Sequence, residues 1–246
     1  MKSAIAVFSW LAASILVSEF LGYLLHRLLH SGKIGFLSRS HMRHHLLLYG
    51  PLQPQRPGSG YQDATTDSLA LGNIGLEWLA PGALLLVLSI TMLNFFGVPV
   101  IYQSIFVAGS VAWSFIMFSY LHDRMHIADF WMERNPCLKR WFVSARHAHD
   151  IHHYALNDDG LMDKNFGIAF FFFDRIFGTW TRKWQTFNRV GYRRALRRFA
   201  KVIEPHPRVG RERETSVAEA RRGLPLNNTD HFVTSDKPAE INVFGN

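Results

Sequence analysis

Ten histidines stand in four short clusters: His26-Arg-Leu-Leu-His30, His41-Met-Arg-His44-His45, His122-Asp-Arg-Met-His126 and His149-Asp-Ile-His152-His153. On a helix, residues three and four apart share a face. HxxxH therefore points two imidazoles one way, and HxxHH sets its first histidine on a face with both of the adjacent pair. The order HxxxH then HxxHH occurs twice, at 26–45 and at 122–153, with five histidines in each half. Two sets of five nitrogens suggest two metal ions. Crowded cationic imidazoles would repel, so the clusters favour neutral ligands on metal, with affinity falling at low pH. All-imidazole ligation suits Fe, Cu, Ni or Zn and disfavours Mg or Ca; ligand type alone does not choose between iron and zinc. His147 is off the main spacing and reads as solvent-facing or as a support to a ligand. His206 and His231 read as surface residues.

The elements that must position these clusters are apolar. From Trp78 to Leu121 there is no Asp, Glu, Lys or Arg over 44 residues. One helix of that length would run roughly 66 Å, against a bilayer core of about 30 Å, so the stretch fits two spans and a turn. The turn signal is Asn94 with Gly97-Val98-Pro99. Helices are predicted at about 79–95 and 100–121. A first span is predicted at about 4–25, across Glu19. A signal peptide is the rival for that stretch, but Glu19 interrupts its end and no convincing cleavage site precedes His26. Each HxxxH follows a span directly.

Charge sets the expected orientation. Lys and Arg number one before the first span, five in 26–73, none in the 94–99 turn and 21 after Leu121. The positive-inside rule then places the N-terminus outside and both histidine segments and the C-terminus in the cytoplasm. The lone Cys137 excludes a disulfide framework and a cysteine zinc finger, and suits the reducing side. The formal charge of +8 reports membrane sidedness more than nucleic-acid binding, and no nucleic-acid partner is expected. The expected fold is all-α: a membrane bundle with a histidine-rich helical cap formed by 26–73 and 122–181. Residues 182–203 read as a basic amphipathic helix suited to an anionic membrane surface, with a solvated helix packed on its own protein as the bland alternative. Residues 204–246 read as a polar, poorly ordered tail.

The four clusters in this order on apolar helices resemble the fatty acid hydroxylase/sterol desaturase superfamily of integral-membrane di-iron enzymes. Asn165-Phe166-Gly167 followed by Asp174-Arg175-Ile176-Phe177-Gly178-Thr179 is similar to the block that trails the last cluster in sterol-desaturase-type members. The resemblance spans roughly 19–180, with 1–181 as the catalytic domain. It implies O2 as cosubstrate, two iron ions held by the ten clustered histidines, with zinc as a substitute in purified protein, and oxidation of a lipid C–H bond, hydroxylation ahead of desaturation. The chain carries no cytochrome b5-like segment and no G-x-G-x-x-G fingerprint. Electrons would come from a separate ferredoxin or cytochrome and its reductase, docked on the Arg-rich face. A carotenoid hydroxylase, or a non-catalytic membrane metal-binding or transport protein, is the alternative.

Several residues are candidates for support. Glu19, Tyr23, His26 and His30 fall on one helix face. A carboxyl inside a span is usually paired or functional, so Glu19 is expected to hold a ligand histidine or an inter-helix hydrogen bond. Asp123, Asp150 and Asp174 are candidates to orient ligands from behind. The Gly/Pro-rich segment 49–67 reads as a lid or a linker. Residues 166–178 read as an interfacial or buried segment, and Trp113, Phe115 and Phe118 as packing between helices rather than lining a channel.

Overall fold

The computed structural model describes residues 2–33, 35–63, 70–71 and 74–203. The expected tail 204–246, with His206 and His231, lies outside the described residues, as do 64–67 of the Gly/Pro-rich segment. Among the described residues, the regular elements are helices apart from a short antiparallel ladder of two residues on each side, β1 (Ala70–Leu71) with β2 (Ile74–Gly75). Three helical runs are long and apolar enough to cross a membrane: Ser3–His30, Trp78–Phe95 and Val100–Met125.

The first run is α1 (Lys2–His30), 29 residues without a break. At 1.5 Å per residue it extends about 43 Å, longer than a bilayer core of about 30 Å. Its last two turns therefore carry His26 and His30 past the span expected at 4–25. α2 (Gly35–Arg43) follows and continues into a π-helical turn at His44–Leu48. The second run is α3 (Leu76–Phe95). It exposes Leu84, Val87, Leu88 and Met92, an outward apolar stripe that suits lipid rather than water.

The predicted turn forms where expected. Gly97 has φ +64, the left-handed region that favours glycine. Gln103 Nε2 clasps it, donating to Asn94 Oδ1 at 3.0 Å and Val98 O at 2.8 Å. Pro99 then precedes α4 (Val100–Ser114), which passes through a π-helical stretch (Phe115–Leu121) into α5 (His122–Met125). α1 and α4 pack closely: a Cβ on Gly109 would collide with Ser14 Oγ. Trp113 Nε1 donates to Glu19 Oε1 at 2.8 Å across the same pair.

Beyond the spans lie α6 (Lys139–Tyr154), α7 (Phe172–Ile176), α8 (Arg189–Arg198) and α9 (Ala200–Ile203). One buried cluster joins Met117, Leu121 and Met125 to Phe142, Ala145, Ala148, Ile168, Ala169 and Phe171. A second joins Met42 and Leu46 to Leu156, Met162, Ala195, Phe199 and Ile203.

The basic helix differs from the expectation. Residues 182–188 are not helical; the helix starts at Arg189, where Asn188 Oδ1 accepts from Gly191 N at 2.8 Å and caps it. Tyr192, Leu196 and Phe199 pack on the second cluster, so this apolar face is covered by the protein itself. Gly191 and Gly160 allow the close approach, since a Cβ on either would strike backbone of the other segment.

Candidate metal centre

The helix ends bring the four clusters together. His26, His30, His41 and His45 form one buried group and His44, His126, His149 and His153 another; within each, the ligating nitrogens lie within 4.8 Å of one another. His152 joins the first group, its Nε2 3.0 Å from His30 Nε2. His122 joins the second, its ring centroid 4.8 Å from His44 and 4.9 Å from His149. The two groups meet at His45 and His153, whose ring centroids are 3.9 Å apart.

The division is not the one the sequence halves imply. Each half gives four histidines to its own group and one, His44 or His152, to the other. The cause is helical phase. Residues four apart nearly eclipse, while adjacent ones diverge by about 100°. His41 and His45 therefore face one group and His44 turns to the second; His149 and His153 face the second and His152 turns to the first.

Hydrogen bonding behind the rings fixes their tautomers. Nδ1–H donates to a backbone carbonyl in four cases: His26 to Phe166 O at 2.6 Å, His126 to Pro54 O at 2.6 Å, His152 to Lys164 O at 2.7 Å and His153 to Tyr49 O at 2.7 Å. Each then presents an Nε2 lone pair forward.

The forward nitrogens fit a cation. His126 Nε2 is approached by His44 Nε2 at 2.9 Å and His149 Nε2 at 3.1 Å. His30 Nε2 is approached by His41 Nε2 at 2.9 Å and His152 Nε2 at 3.0 Å. One lone pair, or one N–H, cannot serve two such neighbours. Two imidazoles bound at right angles to an ion at about 2.0–2.1 Å would stand about 2.9 Å apart. The Nε2 atoms of His26, His45, His122 and His153 are buried and have no protein partner. The donor set thus fits two nitrogen-ligated metal ions.

Burial, reinforced by neighbouring imidazoles, holds His41, His44, His45, His126, His149 and His153 well below the usual histidine range. Burial lowers His152 to about 4. The rings are therefore neutral at pH 7, as metal ligation requires.

The Asn-Phe-Gly block is a buckle behind His26. Asp174 Oδ1 accepts from Phe166 N at 2.7 Å and Thr179 Oγ1 at 2.6 Å, and Oδ2 from Gly167 N at 2.7 Å. Those bonds aim Phe166 O at His26 Nδ1. Asn165, at φ +55, donates to Ala148 O and Thr181 O and accepts from Thr181 N. Burial pushes the Asp174 carboxyl up, against these donors.

The other acidic candidates touch different partners. Glu19 bonds Trp113 and no histidine. Asp150 accepts from Gln55 Nε2 at 2.6 Å, and burial pushes it up to about 7. Asp123 Oδ1 lies 3.5 Å from His122 Nδ1. His147 lies outside both groups, its Nε2 donating to Arg182 O at 3.1 Å. The supports that sequence reading missed are Tyr49, Pro54, Lys164 and Phe166. Each acts through a carbonyl that every residue carries, so no side-chain signal marks it. The described part of the 49–67 segment is bound to the site: Arg56 N donates to His126 O, Ala128 N to Arg56 O, and the Arg56 guanidinium to Leu48 O.

A cavity of about 770 Å³ opens from the histidines down between α1, α3 and α4. His41, His44 and His122 line one end; Leu86, Ser89 and Phe106 line the other. Phe115 and Phe118 line it too, contrary to the expectation that they pack between helices rather than line a channel; Phe118 stacks on Trp78 of α3. Trp113 instead bonds Glu19 on the opposite side.

No curated protein and no solved structure matches the chain. The model of the fatty acid hydroxylase family matches residues 11–179, from within α1 to the end of the Asp174–Thr179 block. The match takes in all ten clustered histidines, and this membrane protein belongs to the fatty acid hydroxylase family, within the sterol desaturase/fatty acid hydroxylase superfamily.

Proposed function

We propose that the protein hydroxylates a membrane lipid in an O2-dependent reaction at a di-iron centre. In balance, R–H, O2, two electrons and two protons give R–OH and water. The observation that carries this reading is the meeting of two five-histidine groups beside a membrane cavity that His41, His44 and His122 themselves line. His26, His30, His41, His45 and His152 would hold one iron; His44, His122, His126, His149 and His153 would hold the other. When bound, the iron pair supplies O2 activation strong enough to attack an unactivated C–H bond.

The residues of the chain do the rest. The carbonyls of Phe166, Pro54, Lys164 and Tyr49 hold the ring orientations, and the neutral imidazoles leave both ions electron-poor. The apolar cavity walls align the lipid and exclude water. Electrons would arrive from a separate ferredoxin- or cytochrome-type donor, served by a reductase and docked on the Arg-rich face. The charge distribution supports an orientation with the N-terminus outside and the histidines and C-terminus in the cytoplasm.

Lipid profiles of cells with the gene, without it, and with His152→Ala test this. An oxidised lipid present only with the wild-type gene is expected. Identical profiles in all three contradict the proposal.

A further inference from the structure

We propose that Gly22, Phe118 and Trp78 form a constriction that sets the girth of the lipid reaching the histidine groups. The inference deepens the lipid-oxidation reading and rests on it. All three residues line the cavity. Gly22 stands four residues before His26 and Phe118 four before His122, so each lies about one turn beneath the first histidine of its HxxxH pair.

The three residues fit together. A Cβ built on Gly22 would collide with the Cζ edge of the Phe118 ring, so only glycine leaves that ring its seat. Phe118 stacks on Trp78, with centroids 5.9 Å apart and planes at 25°. The Trp78 ring lies 5.9 Å from that of His41 and 6.2 Å from that of His26. Two stacked rings thus join the α1 wall to the α3 wall between the histidines and the membrane half of the cavity. A lipid carbon moving from the level of Ser89 and Phe106 to His41, His44 and His122 passes them.

A methyl at position 22 displaces the Phe118 ring, toward Trp78 and into the cavity. Removing the ring does the opposite. Gly22→Ala should therefore exclude thick lipids before thin ones, and Phe118→Ala should admit them. The double variant should recover what Gly22→Ala loses, because the methyl then enters space the ring has left. A merely structural glycine would show no such rescue.

The test is equilibrium binding of tritiated stearate and tritiated cholesterol to detergent-purified, metal-loaded protein. Metal content and helicity are followed alongside. Relative to wild type, Gly22→Ala should weaken cholesterol about tenfold more than stearate, as overpacking of a close site would. Phe118→Ala should shift the ratio the other way, and the double variant should return toward wild type. If Gly22→Ala does not fold, the Phe118→Ala shift alone decides. Unchanged ratios in the folded variants overturn the constriction, as does absence of saturable binding of either probe to wild type. Shifted ratios together with identical lipid profiles in the cell comparison above would instead overturn the oxidase reading and leave the constriction standing.

Discussion

His152 Nε2 lies 3.0 Å from His30 Nε2 across 122 residues of sequence, while its neighbours His149 and His153 belong to the other histidine group. One helix thus serves two sites, and α2 with the π-helical turn after it does the same, His41 and His45 facing one group and His44 the other. Neither site can be assembled from one half of the chain, which makes the two structurally interdependent.

The buckle behind His26 gives a first prediction. Asp174→Asn keeps the shape but replaces one acceptor oxygen with a donor, which then faces the donors now bound to the carboxylate. Disturbed support of a ligand typically costs about 10–100-fold in metal affinity or activity. A loss of that size is expected for Asp174→Asn with helicity retained by circular dichroism. Asp174→Ala should also unfold more easily, by about 1–3 kcal/mol per buried donor left unpaired. Wild-type metal retention in Asp174→Asn would remove Asp174 from the site's support.

Glu19 should behave differently. Its bond runs to Trp113 and not to a histidine, and a glutamine offers the same acceptor. Glu19→Gln is expected to leave metal content unchanged, measured by inductively coupled plasma mass spectrometry. Glu19→Leu should lower thermal stability, leaving the Trp113 N–H without its partner at a cost of about 1–3 kcal/mol. Metal loss in Glu19→Gln would restore the role in ligand support that its helix face suggested.

Acid should act on the metal-stripped protein over a defined window. Burial lowers His152 to about 4 and holds the other clustered rings outside the spans well below their usual range. A histidine depressed in the folded state takes up protons more readily when the chain unfolds. Its contribution is therefore complete above the unfolded value near 6.5 and is lost as pH falls from there toward the folded value. The melting temperature of the metal-free protein should be level above about pH 7.5 and fall steadily between about 6.5 and 4. A flat profile across that window contradicts neutral burial of the rings.

The packing of α8 supplies a fourth test. Phe199 is fully buried against Met42 and Leu46, so Phe199→Ala should destabilise the protein by about 3–5 kcal/mol. Replacing the exposed arginines Arg193, Arg197 and Arg198 with glutamine should change stability by less than about 0.5 kcal/mol each. A stability loss in the arginine variant comparable to that of Phe199→Ala would contradict the packing of this face.

Much of this was legible because it is periodic. The spacing in HxxxH and HxxHH, the uncharged run ending at Leu121 and the turn at Gly97 each follow from local helical or turn geometry. What was not legible is tertiary. Nothing in 41–45 alone says that His44 leaves its neighbours, because that depends on where α6 lies. The carbonyl of Pro54 carries no sequence mark, and the block holding Phe166 did not reveal that its carbonyl would meet His26. The apolar stripe of Tyr192, Leu196 and Phe199 suits a membrane surface or a protein core equally well, and its packing against Met42 and Leu46 is visible only in the fold. Phe118 was expected to pack between helices, and it does touch Gly22, but the same ring also faces the cavity.

Counting metal in two variants tests the central claim most directly. Wild-type protein loaded with iron anaerobically should hold two irons per chain. His152→Ala and His44→Ala should each fall toward one, and His152→Ala should disturb the site built mainly from the first half. Wild type binding a single ion, or both variants keeping two, would contradict two histidine sites that exchange one ligand each.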